Sequence, residues 1–274
     1  MARDAVEDLE LRLLLEGIYQ RYGYDFREYA RSSIRRRVWR RVAEENLTTI
    51  SGLQERLLHD PACMDRLLLD LSVSVTSMFR DPTFFMALRR AVVPLLRTYP
   101  FIRVWNPGCS SGEETLSLSI LLHEEGLGDR IRIYATDINS EVLERSRLGT
   151  FPLERMREYT QNYIASEGRA SFSDYYKTYG DAARFSPHLL EPVVFAQHNL
   201  VSDAEFNEFH LIVCRNVMIY FDRSLQVKVV GLLHRSLIRF GLLALGQKES
   251  LRFSRHAGDF EEIDPREKIY RRIH

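Results

Sequence analysis

The stretch Arg103-Val-Trp-Asn-Pro-Gly-Cys-Ser-Ser-Gly-Glu-Glu114 constrains the fold of this chain more than any other. Ile102 and Val104 begin a buried strand, Pro107 and Gly108 break it, and Gly112 lets backbone approach a ligand with no Cβ in the way. Glu113 and Glu114 then fall in the first turn of a helix, where the positive end of the macrodipole favours carboxylates. A second strand, Ile131 to Asp137, carries its acid at the carboxyl end. Strand, glycine loop, helix and an acid closing the next strand make the nucleotide-binding half of a doubly wound α/β sheet.

The loop is not a dinucleotide fingerprint. Its glycines are spaced G-x-x-x-G, whereas laying a pyrophosphate on helix N–H groups calls for G-x-G-x-x-G. An adenosine ligand without phosphates suits it better, with the loop cradling an amino-acid tail and Asp137 accepting from ribose hydroxyls. S-adenosylmethionine is a ligand of that kind.

Composition removes several alternatives. Lys+Arg and Asp+Glu both number 38, so any electrostatic function comes from local asymmetry, and no base-stacking motif argues for nucleic acid. Cys63, Cys109 and Cys214 are scattered, as expected of reduced thiols in a cytoplasmic protein. The acidic start lacks an apolar signal segment, and no apolar run reaches the roughly 18 residues that cross a bilayer. The eight histidines show no ligand spacing, so no metal is expected.

Residues 1–98 read as a helical domain, with Thr98-Tyr99-Pro100 as linker, and 99–274 as the ligand-binding domain. The segment from Asp25 to about Glu45 has the sharpest charge pattern. Ala30, Ile34, Val38 and Val42 form one apolar stripe flanked by Arg31, Arg35, Arg36, Arg37, Arg40 and Arg41. Acids stand only at its ends, in Glu28, Glu44 and Glu45, so the pattern points to an acidic partner; a solvated face paired with acids elsewhere is the plainer reading. Residues 151–196, aromatic-rich and ending in Val193-Val194-Phe195, break the α/β rhythm and read as an inserted subdomain with a helix and a short antiparallel ribbon. Leu211 to Cys214 is a buried strand, a helix follows from about Ser224 to Arg239, and the stretch 267–273 closes the sheet.

Five motifs in order, T-x-x-F-R-D at Thr76–Asp81, Gly108–Glu114, Ala135–Ile138, Asn199-Leu200 and Cys214–Phe221, resemble the chemotaxis receptor methyltransferases of the CheR type over nearly the whole chain. The resemblance implies a class I S-adenosylmethionine-dependent methyltransferase fold, Rossmann-like, with a small all-helical N-terminal domain and a small β-subdomain insertion. It implies methyl transfer to glutamate side-chain carboxylates of a chemoreceptor or receptor-like sensor by a cytoplasmic monomer. Ser74, Thr76, Arg80, Gly108, Glu114, Asp137 with Ile138, Asn199, Leu200, Asn216 and Val217 would border the cofactor. Within that set Glu114 would meet its amino-acid end, Asp137 the ribose, and Asn199 with Leu200 the adenine. Arg80 and Tyr220 would lie nearest the transferred methyl, and the six arginines would dock on acidic receptor helices. Departures from the family pattern are Ser74 for Asn, Thr115-Leu116 for Pro-Tyr, His210 for Asp and Lys248 for Ser, which suggest a divergent substrate. The alternative reading is a regulatory module that binds S-adenosylmethionine or S-adenosylhomocysteine without turnover.

Overall fold

The computed structural model describes residues 3–71 and 76–274; Ser74 lies outside them. The chain forms two compact units, Met1–Val73 together with Tyr220–Lys228, and Ser74–Ile219 with Val229–His274.

The helical unit holds α1 (Arg3–Tyr22), α2 (Arg31–Glu44), α3 (Ile50–His59) and α4 (Pro61–Leu71). On α1, Leu11, Leu14, Leu15 and Ile18 recur at helical spacing and are buried, while Leu9 and Leu13 face solvent. Thr49 caps α3, its hydroxyl accepting from Gly52 N at 3.0 Å. No side chain caps α2, which starts at Arg31 rather than near Asp25. Ile34, Val38 and Val42 form its buried stripe as expected, but Arg37 and Arg41 are buried beside them.

That burial corrects part of the expected docking face. Arg41 pairs with Asp70 of α4 at 2.6 Å and with Glu44 at 2.9 Å. Arg37 donates to the Leu71 carbonyl, and Arg35 pairs with Glu7 at 3.1 Å and with Asp8. Besides Glu44 of α2 itself, these acids are Glu7 and Asp8 of α1 and Asp70 of α4, which local sequence cannot reveal. Arg31, Arg36 and Arg40 stay exposed, Arg40 with Glu44 at 2.8 Å.

Beyond the C-terminus of α2, Glu45 gathers Arg66 at 2.7 Å, Arg56 at 2.9 Å and Arg41 at 3.4 Å. The Arg66 hydrogen bond, outweighing burial, holds its pKa at about 2, below the ordinary 4.5. A depressed carboxylate contributes stability that is complete above its unfolded value and fades as pH falls toward the folded one. Glu45→Gln is therefore expected to cost roughly 1–3 kcal/mol at pH 6. In urea titrations its deficit against wild type should shrink steadily from pH 4.5 to pH 2; a deficit independent of pH would refute the pairing.

Tyr220–Lys228 rejoins the helical unit through an antiparallel bridge between Tyr29 and Phe221. Ala30 N donates to Tyr220 O and Asp222 N to Glu28 O, both at 2.9 Å. The Tyr29 and Phe221 rings meet edge-on at 4.8 Å, and Leu225 is fully buried.

The second unit opens with α5 (Pro82–Ala87), a π-helical turn at Leu88–Val92, and α6 (Val93–Leu96). It continues with β1 (Ile102–Pro107), α7 (Glu113–Glu124), β2 (Ile131–Asp137), α8 (Ser140–Leu148), β3 (Thr150–Pro152), α9 (Met156–Ala165), β4 (Tyr176–Tyr179) and β5 (Ala182–Phe185). Then come β6 (Val193–Gln197), β7 (Phe209–Cys214), α10 (Arg223–Arg235), which belongs to this unit only from Val229 onward, β8 (Leu237–Leu245), β9 (Phe260–Asp264) and β10 (Ile269–Arg272). Seven strands form one sheet in the order β6-β2-β1-β7-β8-β10-β9. The first five run parallel and β10 runs antiparallel to both its neighbours. Strand β7 is buried along its whole length, as a central parallel strand covered on both faces must be. A separate antiparallel sheet, β3-β5-β4, with α9 is the inserted subdomain.

Three expectations need correction. The break between units falls at Val73/Ser74, not at residue 98, because Phe84, Phe85, Leu88, Val92 and Leu96 share one core with Ile102, Val104 and Leu116. Val193-Val194-Phe195 is not part of the inserted ribbon but begins β6, the parallel edge strand beside β2. The last strand, β10, lies inside the sheet; the edge is β9, whose acidic sequence concealed it.

Candidate active site

Open parallel sheets bind ligands outside the carboxyl ends of their strands, where the strand order reverses. Here the reversal lies between β1 and β7. The loop after β1 turns on Gly108 (φ +69°), Ser110 (φ +50°) and Gly112 (φ +93°), all left-handed. A Cβ on Gly108 would stand 2.5 Å from Val217 Cγ2, and one on Gly112 3.1 Å from Ser146 Cβ, so only glycine permits this close approach. The loop after β7 meets the first one through that Gly108–Val217 contact.

Asp137 closes β2, 7 % exposed, and both its oxygens are engaged: Oδ2 accepts from Ser110 N and Oδ1 from Asn139 N, each at 3.0 Å. Burial pushes its pKa up, against these bonds. It therefore both caps the turn into α8 and pins the glycine loop. Ile138 is half-buried beside it, and the adjoining β6 strand leads through His198 to Asn199 and Leu200, with His198 N donating to Asp137 O at 3.1 Å. Asn199 Oδ1 accepts from Val201 N at 2.9 Å, and Leu200 is buried.

Glu114 lies in the first turn of α7 with both oxygens held. Oε1 accepts from Asn106 Nδ2 at 2.9 Å, and Oε2 pairs with Arg215 Nη1 at 2.7 Å. Its neighbour Glu113 points into the protein, accepting from Ser111 Oγ at 2.6 Å and Tyr159 OH at 3.2 Å, and burial raises its pKa. Thr115, a departure from the family pattern, is fully buried and donates to Asn106 Oδ1 at 2.7 Å, fixing the amide that faces Glu114.

Arg80 sits on a strained turn, flanked by Phe79 (φ +50°) and Asp81 (φ +59°). Left-handed non-glycine residues cost energy and persist where surrounding structure fixes them, commonly at functional sites. Ser117 Oγ of α7 accepts from Phe79 N at 2.9 Å and so helps hold the turn. A cleft of about 450 Å³ is lined by Thr76, Ser77, Arg80, Asp81, Arg155, Glu158 and Asn162. From α9 and the turn before it, Arg155 donates to Thr76 O at 3.0 Å and Asn162 to Met78 O at 3.0 Å. Tyr220 belongs to the helical unit, where the Arg37 guanidinium lies 4.7 Å over its ring.

Two residues outside the expected set organise this site. Arg215, 5 % exposed, bridges Glu114 and Asp81. Glu249, also 5 % exposed, accepts four backbone N–H groups: Gly246 at 2.6 Å, Asn216 at 3.1 Å, Val217 at 2.9 Å and Met218 at 2.7 Å. It thereby holds Asn216 in a left-handed conformation (φ +59°) and sets the loop that carries Val217. His210, another departure, is at the start of β7, accepting from Arg103 N at 3.0 Å, away from the carboxyl ends.

His234, His256 and Asp259, spread over the sequence, bring three metal-capable atoms within 4.8 Å of one another. The two rings stack at 4.2 Å and 18°, so their in-plane lone pairs run nearly parallel and cannot converge on one ion. Arg255 Nε donates to His256 Nε2 at 3.3 Å, which leaves the proton on Nδ1, facing Asp259 at 2.8 Å. His256 is thus hydrogen-bonded to Asp259, and His234 stacks on it.

Among the described residues no helix is long and apolar enough to cross a membrane. Residues 74–269 match the family profile described as "CheR methyltransferase, SAM binding domain", and residues 9–72 match "CheR methyltransferase, all-alpha domain". The chain is 47% identical to the Cher3 protein of Pseudomonas putida over 273 residues, covering 99% of this chain and 100% of that one. It is 28% identical to the chemotaxis protein methyltransferase of Escherichia coli, covering 96% of this chain and 89% of that one. Among solved structures, a SAM-dependent methyltransferase from Geobacter sulfurreducens is 14% identical with a TM-score of 0.36, covering 66% of this chain and about half, 54%, of that one. With a class I methyltransferase sheet and an S-adenosylmethionine-binding domain matched over most of its length, the chain belongs to the CheR methyltransferase family.

Proposed function

We propose that this methyltransferase transfers the methyl group of S-adenosylmethionine to glutamate side-chain carboxylates of a chemoreceptor or receptor-like protein. A glutamate, with a pKa of about 4.3, is already ionised at neutral pH, so the reaction needs no general base. One carboxylate oxygen attacks the methyl carbon, the carbon–sulfur bond breaks toward sulfur, and a methyl ester and neutral S-adenosylhomocysteine result. Sulfonium and carboxylate both lose charge, so a site that excludes water favours the step, and alignment supplies much of the rest.

The observation that carries this reading is the Arg80 turn, a guanidinium on strained backbone lining a cleft and tied through Arg215 to the carboxyl end of β7. Arg80 would orient the incoming carboxylate by a charge-assisted bond. Thr76, Gly108, Glu114, Asp137, Asn199, Leu200, Asn216 and Val217 would border the cofactor, Glu114 receiving its ammonium. Incubation with methyl-labelled S-adenosylmethionine and receptor-bearing membranes should label receptor protein, and mild base should release the label. Label that is stable to base, or confined to nucleic acid or small acids, would overturn the assignment.

On the helical unit, Arg31 and Arg36 are the exposed charges of α2 best suited to an acidic receptor helix. Arg31→Glu with Arg36→Glu is expected to raise the receptor KM about tenfold or more and leave kcat near wild type, since rim charges act mainly on encounter. An unchanged KM at low salt would remove α2 from the docking surface.

A further inference from the structure

One buried guanidinium connects the two ends of the site. The Arg215 side chain is 1% exposed at the carboxyl end of β7. Its Nη1 donates to Glu114 Oε2 at 2.7 Å and to Arg80 O at 3.4 Å, while Nη2 donates to Asp81 Oδ2 at 2.6 Å. The guanidinium plane lies 3.9 Å over the Phe84 ring, which leaves little room for another rotamer. Nε is buried without a hydrogen-bond partner, so the side chain is held for the fork of its two terminal nitrogens. On the far side of Glu114, Thr115 fixes Asn106 and Asn106 fixes Glu114 Oε1. Glu114 is thus gripped from both sides, and Asp81, half-exposed, is gripped from one.

We propose that Arg215 is a positioning residue that couples occupancy of the cofactor's amino-acid end to the shape of the carboxylate-handling turn. The proposal rests on the reading above, in which Glu114 meets the cofactor ammonium and Arg80 receives the substrate carboxylate. A ligand ammonium at Glu114 fixes the carboxylate against which Nη1 is set. The rigid fork then fixes Nη2 on Asp81, and with it the turn that presents Arg80. Among the described residues the guanidinium is the side chain that bonds both carboxylates, while Ser117 ties the neighbouring Phe79 backbone to α7. Coupling between sites is reciprocal, so loosening Asp81 must also loosen the cofactor.

The test is a double-mutant cycle read as S-adenosylhomocysteine affinity by calorimetry. Asp81→Asn suits it because asparagine tolerates the left-handed backbone at that position. Asp81→Asn alone should weaken S-adenosylhomocysteine about three- to tenfold, although Asp81 lies across the guanidinium from Glu114. Glu114→Gln should weaken it more, and the double variant should lose clearly less than the product of the two single effects. In an Arg215→Lys background, where a single ammonium cannot reproduce the fork, Asp81→Asn should have no further effect. Should Arg215→Lys fail to fold, the Asp81/Glu114 cycle alone reads the coupling. Effects that multiply, or an Asp81→Asn protein with wild-type affinity, would overturn the proposal even if the melting temperature falls. A wild-type protein that binds no S-adenosylhomocysteine would instead remove the reading on which it rests.

Discussion

Arg80→Ala is expected to lower kcat for methyl transfer by a factor on the order of 10²–10³, the usual consequence of deleting a preorganised charge at a reacting centre. The loss should fall on kcat rather than on the KM for S-adenosylmethionine. In the proposed assignment several other groups at the strand ends would still hold the cofactor, whereas few in the cleft carry positive charge. Arg80→Lys should recover only part of the rate, because an ammonium cannot match the planar fork to a carboxylate. Initial rates of base-labile label at saturating cofactor check this directly. A variant within threefold of wild type would remove Arg80 from the reaction and leave its strained turn without a functional account.

Glu249→Ala is expected to produce the largest loss of stability of any single change near the site, roughly 3–5 kcal/mol. Four backbone donors, on Gly246, Asn216, Val217 and Met218, would lose their acceptor together. Burial pushes the Glu249 pKa up, and those same four N–H groups pull against it. Glu249→Gln keeps the shape but turns an N–H₂ group toward donors, so it should recover less than half of the deficit. Because Val217 packs against Gly108, the lesion should also weaken cofactor binding in protein that remains folded. Urea unfolding and calorimetry of S-adenosylhomocysteine binding together test both parts. A stability loss below about 1 kcal/mol, the worth of one ordinary hydrogen bond, would show that the four donors find other acceptors.

What the sequence disclosed and what it hid follow from the range of the interactions. Ile102 to Asp137 was legible because strand, glycine loop and helix announce themselves within a few residues. Thr98-Tyr99-Pro100 looked like a linker for the same local reason, yet the aromatic face of Phe84 and Phe85 commits the preceding helix to the sheet core. The arginines of α2 read as a free face because Glu7, Asp8 and Asp70, which neutralise several of them, are about thirty residues away. Arg215 stood inside a recognised motif, but its partners Asp81 and Glu114 lie over a hundred positions upstream. Glu249 accepts from backbone N–H groups, and backbone donors leave no side-chain pattern to read.

The return of Tyr220–Lys228 to the helices makes the N-terminal unit discontinuous along the gene's reading order. A fragment cut after Val73 would forfeit the Phe221 and Leu225 side chains and bare the Tyr29 ring that meets Phe221. Such a piece invites aggregation, and chimaeras between relatives that exchange only the first seventy-odd residues would inherit mismatched halves of one small core. Swaps intended to move substrate preference therefore require the later strip to travel with the helices.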